Sequence, residues 1–151
     1  DQQGLHRVPF IDLFEGPGKS TLDKTNEIIT GFYFPRKTAH QASAFKRIMR
    51  PQGVALPILN CAVWLERDEG LIVDVRIAGG PGGPTPFRAT QAEEALRGMA
   101  FSEDLLSSAV EELIVQGTFR TSRYRATSAY RKHILVDLFS ETFSEAWSRA
   151  E

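Results

Sequence analysis

Cysteine is nearly missing from this sequence: Cys61 is the only one in 151 residues, beside three histidines and two tryptophans. A single cysteine excludes an internal disulfide and any multi-cysteine zinc or iron-sulfur cage, and it suits a reducing compartment, so the cytoplasm is the expected location. The histidines, His6, His40 and His133, stand far apart with no H-E-x-x-H or facial carboxylate pattern around them, and no metal site is expected. An excess of charge is also lacking, since 18 Lys and Arg face 19 Asp and Glu for a net charge of -1. That balance removes the electrostatic case for nucleic acid or an anionic membrane as partner. Long apolar runs are absent as well. The longest, Val54 to Leu65, is broken by Pro57 and Asn60 and is well short of the roughly 20 residues that span a bilayer.

What is present is an ordinary globular composition, 42% hydrophobic and 25% charged with 12 glycines and 8 prolines. It fits one domain, or one domain carrying the tail of another, and not a solenoid or a multidomain enzyme. The chain opens on Asp1, with no basic segment leading into an apolar one, which leads us to expect a domain cut from something longer.

Apolar segments Val8 to Phe14 and Ile28 to Phe34 flank a turn-rich stretch, Glu15 to Ser20, and the aromatic and β-branched residues of the second segment predict a strand. Pro35 ends it, a loop over residues 36 to 41 follows, and Ser43 to Met49 is a further predicted strand. Asn60 to Glu66 and Leu71 to Ala78 form a predicted hairpin, with Gly70 supplying the positive φ of its short turn. The run from Gly79 to Pro86 is too rich in glycine and proline for helix or central strand and is expected to be a loop.

Helical signals then take over. Thr90-Gln91-Ala92-Glu93 has the spacing of a capping box, predicting a short helix to about Arg97. Ser102 with Glu103 and Asp104 opens a second helix, in which Leu105, Leu106, Ala109, Val110, Leu113 and Ile114 repeat at helical spacing and which Gly117 closes. Thr127 or Ser128 caps a third, whose apolar stripe runs through Tyr130, Ile134, Leu135, Leu138, Phe139 and Phe143. Strands first and helices afterwards imply an α+β fold, a small antiparallel sheet packed against three C-terminal helices.

Motifs with chemical meaning are few. Gly18-Lys19-Ser20-Thr21 imitates the end of a phosphate-binding loop, but the position of its first glycine holds Leu13 and a strand, not a helix, is expected after it. The glycine run at Gly79 lacks the dinucleotide spacing, and a structural connection is favoured. Cys61 falls within a predicted strand, where a free thiol is a small buried hydrophobe, and no nucleophile or other catalytic residue is evident. Arg120, Arg123, Arg125, Arg131 and Lys132, interleaved with Tyr124 and Tyr130, are expected to form a solvated helix entry.

Six pieces, in order, carry a resemblance. They are Phe14-Glu15-Gly16-Pro17-Gly18-Lys19-Ser20 with Asn26-Glu27-Ile28-Ile29, Ser43-Ala44-Phe45-Lys46, and Leu59-Asn60-Cys61-Ala62-Val63-Trp64-Leu65-Glu66. Val75-Arg76-Ile77-Ala78-Gly79-Gly80, Thr85-Pro86-Phe87-Arg88-Ala89 and Ser128-Ala129-Tyr130-Arg131-Lys132-His133 complete the set. Together they resemble the C-terminal part of the FAD-binding subunit of molybdenum hydroxylases, the family of xanthine dehydrogenase and aerobic carbon monoxide dehydrogenase.

The resemblance implies that residues 1 to 36 are the tail of an FAD-binding domain and residues 41 to 151 a C-terminal domain. It also implies that the whole subunit passes electrons from iron-sulfur clusters through FAD to an acceptor, with an iron-sulfur subunit and a molybdopterin subunit as partners. A homo-oligomer is left open. The glycine-rich loops that hold the FAD pyrophosphate in that family are not in this sequence, which implies weak FAD binding by the chain alone. By the same resemblance, Ile29 and Lys46 are the flavin-side residues, the first packing on the ring and the second offering positive charge at its edge. The plainer alternative makes Ile29 a core strand residue and Lys46 a solvated lysine at a strand edge. For the chain as a whole, the alternative is a non-catalytic α+β interaction or dimerisation module.

Overall fold

The structure is a computed structural model that describes residues 4–50 and 54–150. The outermost positions of the two expected segments, Asp1 and Glu151, lie outside these. The chain divides into two compact units, Asp1–Arg36 and Lys37–Glu151.

The first unit is short of regular structure. A 3-10 turn over Phe10–Leu13 leads into a small antiparallel pair, β1 (Phe14–Gly16) and β2 (Lys19–Ser20), turned at Gly18 with φ 66°. Asp23 organises the next turn by accepting from the Thr25 N–H at 2.9 Å and from the Asn26 amide at 2.8 Å. The predicted strand Ile28 to Phe34 is not a strand: it runs without ladder partners among the described residues. Strand-rich composition reports how side chains suit a pleated surface, while a strand also needs a neighbour for its backbone groups.

In the second unit, β3 (Gln41–Met49), β4 (Pro57–Asp68), β5 (Leu71–Gly80) and β6 (Phe87–Arg88) form one antiparallel sheet in the order β3-β4-β5-β6. The predicted hairpin is present, turned on Glu69 at φ 44° and Gly70 at φ 88°, the two left-handed positions that a tight hairpin needs. Gly79 and Gly80 correct the expected loop, because they extend β5 and pair with β4. A Cβ at Gly79 would sit 2.7 Å from the Phe87 ring, so glycine there lets Phe87 of the unforeseen β6 close over the strand.

Three helices follow, α1 (Thr90–Leu96), α2 (Glu103–Gln116) and α3 (Ser128–Arg149). Ser102 caps α2 by accepting from the Leu105 N–H at 3.2 Å, and Thr127 caps α3 by accepting from the Tyr130 N–H at 3.2 Å. The capping box expected at α1 is not made. Ala89 is the N-cap without a side-chain bond, and Glu93 points inward instead.

The core lies between the sheet and the helices. Leu59, Cys61, Val63 and Leu65 of β4 alternate inward with Val75 and Ile77 of β5, against Leu96, Leu113, Leu135, Phe139 and Phe143. Burying each large apolar side chain stabilises the fold by about 1.5–3 kcal/mol, which explains why α3 is held along its apolar stripe. Tyr130 departs from the expected stripe and is exposed at the first turn. This α+β arrangement is the expected fold class. The opposite face of the sheet stays open, with Phe45 exposed and Arg76 lying 5.1 Å over the Trp64 ring.

Candidate functional site

β3 is an edge strand, paired only with β4 among the described residues, and its alternation turns Ala42 and Ala44 inward, with Lys46 on the same face. There the strand passes α3, whose Glu141, Glu145 and Arg149 recur at every fourth residue and so share one face. The Lys46 Nζ lies 3.2 Å from Glu141 Oε2 and 3.3 Å from Glu145 Oε2. Arg149 pairs with Glu145 in turn and donates from Nη1 to the Ser43 carbonyl at 3.0 Å. Glu141 first, then Glu145, raises the Lys46 pKa above the usual lysine value. Two of the three N–H directions of the ammonium thus face carboxylates, and one remains to meet another acceptor.

Ile29 belongs to the first unit and Lys46 to the second. It is neither in a strand nor in a core: its exposure is 44%, and it lines a cavity of about 1000 Å³ with Leu5, Val8, Phe10, Leu13 and Phe32. An apolar wall of this kind suits a flat aromatic ring, and a lysine ammonium with one donor direction left suits an acceptor at a ring edge. Each residue, taken within its own unit, has chemistry that a flavin-ring contact uses. No phosphate cradle is made at Lys19 and Ser20, because bends and a turn, not a helix, follow them.

The other candidates take structural places. Cys61 is buried, and desolvation pushes its thiol up to about 12, which makes it inert as a nucleophile. Among the described residues no group of three His, Cys, Asp or Glu side chains is placed to hold a metal ion. Arg131 corrects the expectation of a solvated basic face: it is 1% exposed and donates from Nη1 to the carbonyls of Ile58, at 2.6 Å, and of Pro81. Desolvation first, then the charges of Arg125 and Arg120, lowers its pKa. Tyr124 and Lys132 are exposed as expected.

Two polar assemblies escaped the sequence. Glu93 is buried, accepts from the Ile77 N–H at 2.7 Å, and holds Arg88 through both oxygens at 2.8 and 2.7 Å. The Glu141–Glu145–Arg149 stripe is legible as spacing, but its strand partner is not.

Comparison with known proteins bears on both units. The family described as CO dehydrogenase flavoprotein C-terminal domain matches residues 43–146. A xanthine dehydrogenase FAD-binding subunit of Escherichia coli O157:H7 is 31% identical over 150 residues, covering 98% of this chain and 50% of that protein. A nicotinate dehydrogenase FAD-subunit of Eubacterium barkeri is 23% identical over 152 residues, with 99% and 51% covered. The chain spans about half the length of the curated relatives it matches. Among solved structures, carbon monoxide dehydrogenase from Hydrogenophaga pseudoflava superposes with a TM-score of 0.84 at 24% identity, over 93% of this chain and 48% of that one. That likeness is one of fold. No helix among the described residues is long and apolar enough to cross a membrane.

Proposed function

The chain belongs to the CO dehydrogenase flavoprotein C-terminal domain family, and on that premise we propose that it is the C-terminal half of the flavin subunit of a molybdenum-containing oxidoreductase. Residues 1–36 are the tail of the FAD-binding domain, and residues 41–151 are the C-terminal domain. The subunit relays electrons from iron-sulfur clusters through FAD to an acceptor in the cytoplasm, beside an iron-sulfur subunit and a molybdopterin subunit. The observation that carries this reading is the match along nearly all of this chain to relatives named as FAD-binding subunits, of which it spans half. FAD supplies the redox chemistry when bound, and protein groups position it and set its potential.

In this reading Ile29 packs on one face of the flavin ring and keeps water from it. Lys46 supplies a hydrogen-bond donor and a positive charge at the ring edge, favouring the reduced form through a partly desolvated charge interaction. The test uses the longer protein that contains this chain. Purified, it carries bound FAD, and Lys46→Met leaves its far-ultraviolet circular dichroism unchanged while weakening FAD affinity or lowering the flavin potential. A longer protein that neither retains nor binds FAD would leave the interaction-module alternative, which the open sheet face with its exposed Phe45 supports.

A further inference from the structure

A lysine at a strand edge has four rotatable bonds and is normally disordered, so fixing its ammonium at a ligand costs side-chain entropy. Lys46 departs from this: two carboxylates on α3, at 3.2 and 3.3 Å, hold it from one side. The clamp is itself anchored. Arg149 grips Glu145 and also the Ser43 carbonyl, three residues before Lys46 on the same strand, so strand and helix are tied at two points. Glu141 and Glu145 are one turn apart on a helix whose other side is buried through Leu138, Phe139 and Phe143, which gives the pair a rigid base.

We propose that Glu141 and Glu145 are positioning residues for Lys46: they set the direction of its ammonium so that its remaining N–H meets the flavin edge. This rests on the reading of Lys46 as a flavin contact. As a stability device the network is weak, because solvent-exposed ion pairs contribute little. As a preorganising device it is effective, since the ordering is complete before the ligand arrives.

The experiment is a double-mutant cycle in the intact, FAD-loaded flavin protein containing this chain, with the flavin midpoint potential and FAD affinity as readouts. Lys46→Met is expected to shift the affinity ratio of reduced to oxidised FAD about tenfold toward the oxidised form, equivalent to about 30 mV for a two-electron couple. The double variant Glu141→Gln and Glu145→Gln shifts it in the same direction by about threefold, and in the Lys46→Met background it adds nothing. Gln variants with an unchanged potential beside a shifted Lys46→Met would overturn the positioning role and leave the flavin contact standing. A Gln effect of opposite sign, or one that persists without Lys46, would overturn it too, since the carboxylates would then act by their own charge. An unshifted Lys46→Met would overturn the flavin contact and the clamp together. Glu141 is a surface residue with a side chain 64% exposed, so Glu141→Gln alone keeps the test readable if the double variant misfolds.

Discussion

The two units of this chain contrast in what they bury. Every fully buried apolar side chain among the described residues lies in the second unit, from Ala42 to Ala150, while Phe10, Ile28, Phe32 and Phe34 of the first are largely exposed. Thirty-odd residues with one small hairpin cannot enclose a core, whereas a four-stranded sheet and three helices can. A shared sequence match therefore does not mean a shared degree of burial: the second unit encloses a core of its own, while the first leaves most of its large apolar side chains exposed.

The largest effect expected is at Phe139, which is 0% exposed in α3. Phe139→Ala should cost about 3–5 kcal/mol in chemical denaturation, and a loss below 1 kcal/mol would break the contrast. Next is Glu93→Gln, which disrupts the buried carboxylate beneath Arg88 and Ile77. It should cost about 2–4 kcal/mol, measured in the same way.

A smaller effect is expected at Asp74. Burial pushes its carboxyl up, but hydrogen bonds from Arg97 and the Val75 N–H outweigh this, and its pKa falls below the usual carboxylate value. A lowered folded-state pKa adds stability above the unfolded value, near 4, that is lost as pH falls through the folded one. Melting temperature followed into acid should therefore fall less steeply for Asp74→Asn than for the parent. The smallest effect is at Phe34, 85% exposed, where Phe34→Ser should change stability by no more than about 0.5 kcal/mol.

Local signals carried far in the second unit. The β4–β5 hairpin, the Ser102 and Thr127 caps and the apolar stripes of α2 and α3 were legible, because turn chemistry and helical periodicity act over a few residues. What the sequence concealed depends on distant partners. Glu93 has the spacing of a capping box, yet its carboxylate goes to a strand amide 16 residues earlier. Arg131 sits among solvated arginines in sequence but turns to carbonyls 73 and 50 residues away. The Lys46 clamp joins residues 95 positions apart, and composition misplaced Ile28 to Phe34 because a strand is defined by its neighbour.

Under the proposed function this chain contacts the flavin ring while other parts of the subunit hold the FAD phosphates. Calorimetric titration of FAD into the 151-residue chain tests that division most directly. No saturable binding in the micromolar range is expected, and micromolar binding by the chain alone would overturn that division.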